Sequence, residues 1–380
     1  MATTFKPLTQ RDIATKRVLL HEAIPVTGSI VSGTYGVTAT ATEFPSEGNI
    51  KNYSHGMFQS VYDYPHLSSS ANHLFDMTIG YSTASVLATG QPIPNGDNAQ
   101  NKEKLNIYNQ MAQLLVGHDH TGSIKEFKIP GGDTIREAYF INFSRLLVKD
   151  EIKKGSLTMS FGTGSTFTTA HNYNGSPRTL HDYGSTTYYT DSPAGDYAIL
   201  TMSADPPGPE EGKKPAGLIY YQAGIAVLSA SMFFPYDSSQ VSTGHDTDNY
   251  LNITGSGAGL TKDDDGLTFK HLLVSSSITG TTNALRHRID NIEFQNTTEL
   301  NSTIHFCRLN HDEFNYSSNP TYVSASKIQV KDQKSDSPMT YVTTIGLYGS
   351  DNTLLAVAKV SEPLKKDPFN EITLRVRLDY

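Results

Sequence analysis

Three runs near the carboxyl end set the strongest limit on what this chain can fold into. Tyr341-Val-Thr-Thr-Ile-Gly-Leu-Tyr348 and Leu354-Leu-Ala-Val-Ala-Lys-Val360 flank Gly349-Ser-Asp-Asn352. β-Branched and aromatic residues on either side of such a cluster predict a β-hairpin, because the cluster supplies the backbone freedom and local hydrogen bonds of a reversal. Glu371-Ile-Thr-Leu-Arg-Val-Arg-Leu-Asp379 alternates apolar and polar residues with period two, which predicts a half-buried strand. None of the three runs carries a catalytic constellation.

Composition points the same way. Only 37% of the 380 residues are hydrophobic and 18% charged, and Ser, Thr, Asn and Gly make up the balance. Trp is absent, against 21 Tyr and 16 Phe. This profile fits a β-rich protein with long polar loops and Tyr-lined surfaces. The length suffices for two domains, or for one large β domain with insertions.

The net charge of −8 and the scatter of the basic pairs Lys153-Lys154, Arg286-His-Arg288 and Lys365-Lys366 argue against nucleic-acid binding as a primary role. Cys307 is the only cysteine, so neither an internal disulfide nor a Cys-based zinc site can form. Its expected place is a small core position beside Ile304 and Phe306. The amino terminus has no apolar leader core and no stretch approaches a membrane span, so the expectation is a chain made in a cytoplasm without membrane insertion.

The fold class expected is mainly β (α+β), with β-sandwich-like sheets, two packed helices near 67–116 and long polar loops. The first helix is predicted over 67–80, from Ser68-Ser-Ser70 as N-cap through Leu74, Phe75 and Ile79 to Gly80 as stop. The second is predicted from Lys102 to Val116, with Gly117 closing it. Strands are expected at Ile124–Ile129, Ala138–Phe143, Leu157–Phe161, Leu218–Tyr221, Ile225–Leu228, Ile292–Phe294 and Thr303–Arg308. A β-like run from Val26 to Ala41 precedes them. Four regions follow: 1–50, an N-terminal extension with the first strands; 51–235, the main β-rich domain with the helices; 236–290, an irregular linker or insertion; and 291–380, a C-terminal β domain ending in the hairpin.

Gly117-His-Asp-His-Thr-Gly122 is the sharpest local motif. Imidazoles at i and i+2 in a Gly-bounded loop can point the same way and suit zinc or iron. His118 and His120 are too few for a closed site within one chain, whereas three chains about a threefold axis supply six ligands. The plainer reading, which the pattern favours, is a polar helix-exit loop that uses Asp119 and His118 for contacts with neighbouring backbone groups.

Asp263-Asp-Asp-Gly266 and His245-Asp-Thr-Asp248 lack the calcium-loop pattern and read as turns. Gly162-Thr-Gly-Ser165 lacks the closing glycine of a nucleophile elbow, and Gly255-Ser-Gly-Ala-Gly259 has no nucleophile at its centre. His311-Asp-Glu-Phe-Asn-Tyr-Ser-Ser-Asn-Pro320 puts Phe314 and Tyr316 on one side of an extended segment. That predicts either a contact segment or two core aromatics.

The segment TIGLYGSDNTLLAVAKVSEPLKK resembles a hairpin found repeatedly in tail-fibre and baseplate components of tailed phages. With the "EFN.S.NP" pattern at Glu313–Pro320, Asn72-His-Leu-Phe-Asp76 and Ile225-Ala-Val-Leu228, it resembles virion structural proteins of contractile-tailed, marine-type phages. The His118/His120 loop is similar to the His-x-His loops of fibre trimers that bind iron.

The resemblance implies a structural subunit of the tail, baseplate or neck. It would be assembled in a bacterial host and would reside in the virion. Its partners would be itself and other virion proteins, met through Phe314, Tyr316, Leu347, Tyr348, Leu354 and Leu355. It implies no enzymatic activity and no cofactor beyond iron or zinc at a trimer axis. The alternative is a receptor-binding or decoration protein that recognises host surface glycan through the Tyr-rich stretch 162–190. A β-rich glycan hydrolase is a third reading.

Overall fold

In this computed structural model, residues 5–30, 48–85, 88, 99–132, 134–163, 175–203, 214–230, 273–274, 276–316, 323–324, 327–328 and 337–380 are described. The strands are β1 (Ile13–Pro25), β2 (Ile50–Asn52), β3 (Gln59–Tyr62), β4 (His73–Tyr81), β5 (Phe127–Lys128), β6 (Thr134–Ile135) and β7 (Glu137–Phe143), then β8 (Glu151–Ile152), β9 (Thr158–Thr163) and β10 (Gly175–Asp182). They continue with β11 (Tyr189–Ser192), β12 (Gly195–Ser203), β13 (Lys214–Tyr220), β14 (Ile225–Ser229) and β15 (Ile289–Leu309). The last are β16 (Val323–Ser324), β17 (Lys327–Ile328), β18 (Thr340–Tyr348), β19 (Leu354–Lys366) and β20 (Ile372–Asp379). The helices are α1 (Asn101–Leu115), α2 (Arg145–Val148) and α3 (Ile278–Arg286). The protein is mainly β.

The chain divides into two compact units, Leu20–Thr298 and Met1–Leu19 with Glu299–Tyr380. In the first, the sheet runs β15-β9-β10-β12-β13-β14-β7-β4-β3-β2, antiparallel at every step. β14 is buried at every residue, as a short continuous apolar run inside a sheet should be. The sheet curls back on itself. Phe143 on β7 and Phe294 on β15 lie far apart in strand order, yet their rings meet edge-on at 5.2 Å. Tyr108, Phe127, Phe140 and Tyr220 form an aromatic knot on the other side of β7 from Phe143 (centroids 5.4–6.5 Å).

The helix expected over 67–80 is a strand. His73–Tyr81 is β4, paired with β3 on one side and β7 on the other. Its side chains are buried on both faces, which erases the alternation that marks a strand and leaves an apolar run a helix could equally carry. Gly80 therefore stops nothing. A Cβ there would lie 2.8 Å from the Lys104 carbonyl oxygen and from the Tyr108 nitrogen, so the missing side chain lets α1 settle on the strand. α1 itself ends as its sequence predicts. Gly117, at φ +82°, donates its N–H to the Ala112 carbonyl (3.0 Å).

Of the run predicted over 26–41, only 26–30 are described. β1 ends at Pro25, Val26–Ser29 form a turn, and 31–41 lie outside the described residues. The strands expected at 292–294 and 303–308 are parts of one, β15. The one predicted over 124–129 shrinks to Phe127–Lys128.

Lys104 is fully buried on α1. Its Nζ donates to the Ser276 carbonyl (2.6 Å) and to Asn101 Oδ1 (3.0 Å), tying the helix to the segment before α3. Burial pulls this ammonium down from 10.5 to about 8. Burial pushes the hydroxyls of Tyr108, Tyr139, Tyr197, Tyr220 and Tyr221 up from 10.0. Between pH 8 and 10 the unfolded chain holds the lysine proton that the folded chain has released, so stability rises with pH. Above pH 10 the unfolded tyrosines ionise while the folded ones do not, so stability falls. Urea midpoints measured from pH 7 to 11 should pass through a maximum near pH 10. Lys104→Met should lose the rising limb and keep the falling one.

Candidate functional site

In the Leu20–Thr298 unit, the loop after α1 and a knot around Asp182 each gather polar side chains. At the first, Asp119 organises the loop after α1. Its Oδ1 accepts from the Thr121 N–H (2.8 Å), Thr121 Oγ1 (2.6 Å) and the Ser123 N–H (3.0 Å), and these bonds hold its carboxyl below the usual range. His118 and His120 stand exposed on either side. Among the described residues no third His, Cys, Asp or Glu joins them in a metal-ligating group. What is shown is a loop built around Asp119, with two imidazoles facing solvent.

The second place is a knot around Asp182, only 4% exposed. Its Oδ1 accepts from Tyr221 Oη (2.6 Å) and the Gly184 N–H (2.7 Å), and its Oδ2 from the Gly155 N–H (2.7 Å). Burial nevertheless raises this carboxyl, because desolvation outweighs the three bonds. Lys154 pairs with Asp196 (2.9 Å) and lies 4.8 Å over the Tyr188 ring. A raised carboxyl near a lysine is one mark of acid–base machinery. Its donors, however, are the chain's own, and they lash the turn at Gly155 to the turn at Gly184. A Cβ on Gly184 would sit 1.7 Å from Tyr221 Oη. Sequence reasoning missed this knot. Its one signal was a pair of glycines, and its members lie up to 66 positions apart.

Many of the tyrosines are internal rather than surface-lining. Tyr189, Tyr197 and Tyr220 stack across β11, β12 and β13 at 5.4 and 5.2 Å, following the strand registers. Of the Tyr-rich stretch 162–190, residues 164–174 lie outside the described residues, as do the 245–248, 255–259 and 263–266 motifs and Ser165.

The other unit has a different character. Among its described residues only one hydrophobic side chain, Val376, is buried. Polar groups do the anchoring. Lys366, fully buried, donates to Asn315 Oδ1 (2.7 Å), the Asp367 carbonyl (2.9 Å) and the His311 carbonyl (3.3 Å). Asn315 in turn donates to the His311 carbonyl (2.7 Å), and Lys6 pairs with Glu313. These bonds close 311–316 into a turn, so the extended segment expected there is absent, and Phe314 sits at φ +53°. Phe314 (46%) and Tyr316 (56%) are both exposed, which removes the core reading for the pair. Cys307, expected in a core, is only half-buried on β15, with its thiol pushed up by burial.

The terminal hairpin forms as predicted. Gly349–Thr353 reverses the chain, with Asn352 at φ +62° and Asp351 Oδ1 accepting from Thr353 Oγ1 (2.7 Å). β18 and β19 make a two-stranded sheet. Val342, Ile345, Leu347, Ala356 and Ala358 are half-buried, while Tyr341, Tyr348, Leu354, Leu355 and Val357 are exposed. Phe5 packs on the Tyr348 ring at 4.6 Å.

No family model, curated protein or solved structure matches this chain. No helix among the described residues is long and apolar enough to cross a membrane.

Proposed function

We propose that this chain is a structural subunit of a contractile-tailed phage particle, placed in the tail, baseplate or neck and working by protein–protein assembly rather than by turnover. The observation that carries the reading is that the described residues of the Met1–Leu19, Glu299–Tyr380 unit bury a single hydrophobic side chain. Residues that bury one hydrophobic side chain between them gain little of the apolar stabilisation that offsets chain ordering. A two-stranded hairpin is marginal in water by itself. Such a unit is completed by covering its exposed Tyr and Leu side chains with another protein. The likeness of its hairpin to those of phage tail components supports the same conclusion.

On this reading the chain is made in the host cytoplasm and resides in the virion. Its partners are itself and neighbouring virion proteins, and Phe314, Tyr316, Tyr348, Leu354 and Leu355 are contact residues. Quantitative mass spectrometry of purified particles tests it. The chain should be present in fixed stoichiometry and survive a wash in about 1 M salt, which screens surface charge but spares apolar contacts. Particles that lack it, or lose it in the wash, would overturn the reading.

A further inference from the structure

Lys366 closes β19, and Asn315 lies in the turn after β15. Lys366 is 0% exposed and Asn315 6%. A buried ammonium ordinarily faces a carboxylate, because desolvating an unpaired charge is costly. Among the described residues, the oxygens that Lys366 Nζ meets are all uncharged: Asn315 Oδ1 (2.7 Å), the Asp367 carbonyl (2.9 Å) and the His311 carbonyl (3.3 Å). Converting this ammonium into an amide would remove a buried charge from the protein.

The geometry suits that conversion. A carbonyl bond is about 1.2 Å long, so Nζ stands at most about 4 Å from the Asn315 carboxamide carbon, near the range from which attack proceeds. The His311 carbonyl that accepts from Nζ also accepts from Asn315 Nδ2 (2.7 Å), so one oxygen holds both the attacking and the departing nitrogen. Burial excludes water, the rival nucleophile. Glu313, two positions ahead of Asn315, supplies a carboxylate in the same turn. Its carboxyl is held low by bonds from Lys6 and the Asn310 N–H, and by the charges of Lys6 and Lys366.

We propose that Lys366 and Asn315 join in an isopeptide bond. The amine, its extra proton taken by Glu313, attacks Cγ. The Nζ–Cγ bond forms, the Cγ–Nδ2 bond breaks, and Nδ2 leaves with the protons that Nζ gave up. Lysine ammonium and carboxamide become a secondary amide and free ammonium, so atoms and charge balance with no oxidant or co-reactant. The bond ties the turn after β15 to the end of β19 across 51 positions. Such a tie limits the unfolded chain as a disulfide does, in a chain whose one cysteine can form none internally. It holds a unit whose described residues bury one hydrophobic side chain, whatever that unit assembles with.

Denaturing mass spectrometry of the full chain tests the bond. The expected mass is below that of the sequence by one ammonia, about 17 Da, and a digest should yield one fragment joining the segments around 315 and 366. Lys366→Arg, which keeps the charge and the donors, and Asn315→Ala should each show the full mass. Glu313→Gln should form the bond at least tenfold more slowly, followed by the growth of the lighter species after synthesis, and a wild-type rate would remove Glu313 from the step. A wild-type chain that keeps its full mass after prolonged incubation would overturn the bond. So would an ammonia loss that persists in Lys366→Arg, or one confined to a single peptide, the mark of an asparagine cyclised on its own backbone.

Discussion

Gly80→Ala is expected to destabilise the Leu20–Thr298 unit by about 3 kcal/mol, at the upper end of the range for forcing an extra methyl into a packed core. The added Cβ would meet backbone atoms of α1 at 2.8 Å and Tyr108 Cβ at 2.9 Å, and none of these is the yielding end of a flexible side chain. Relief requires the helix to lift. Lifting stretches two contacts that hold it, the bond from Tyr108 Oη to the Ile135 carbonyl (2.6 Å) and that from Lys104 Nζ to the Ser276 carbonyl (2.6 Å). The urea midpoint should fall with an unchanged m-value, since the loss lies in packing and not in the extent of the fold. A variant with the wild-type midpoint would show that α1 does not rest on this glycine.

Lys366→Met is expected to open the other unit. Methionine keeps much of the stem volume but strands Asn315 Oδ1 and takes one of two donors from the His311 and Asp367 carbonyls. A stranded acceptor costs about 1–3 kcal/mol and loss of bonds from a charged donor adds to it, so a total of about 3 kcal/mol is expected. With one buried apolar side chain among its described residues, this unit has little apolar packing there to absorb such a loss. Limited proteolysis should cut around 311–316 several-fold faster than in wild type, and hydrogen exchange should quicken there and along β20. Sites in Leu20–Thr298 should be cut at the wild-type rate. Unchanged cleavage at 311–316 would mean that the ammonium is not what closes the turn.

What the sequence reveals and what it hides can be traced to range. α1 and the terminal hairpin are legible because their determinants are local. Leu105, Tyr108, Ala112 and Leu115 recur with helical spacing ahead of Gly117, and a Gly/Ser/Asp/Asn turn divides two β-branched runs. β4 is misread because burial on both faces removes its period, and only its neighbours in the sheet decide between strand and helix. β1 hides for the opposite reason. Its thirteen residues are almost all exposed, so no apolar face announces it. Lys366 and Asn315 are invisible as partners across 51 positions. Lys104 reads as an ordinary solvent-facing helix residue until the segment before α3 covers it. The sequence left Phe314 and Tyr316 open between a contact segment and a core pair, and only the fold shows them exposed. Their turn geometry was not legible, because it is imposed by a buried lysine far along the chain.

The stacked tyrosines also give this protein a built-in optical reporter. With no tryptophan to drain excitation, its near-ultraviolet emission belongs to tyrosine, and Tyr197 donates its hydroxyl to the Asp191 carboxylate (2.8 Å), an arrangement that quenches. Peeling β11 from β12 would separate Tyr189 from Tyr197 and break that bond at once, so fraying of this edge should brighten the molecule without any label.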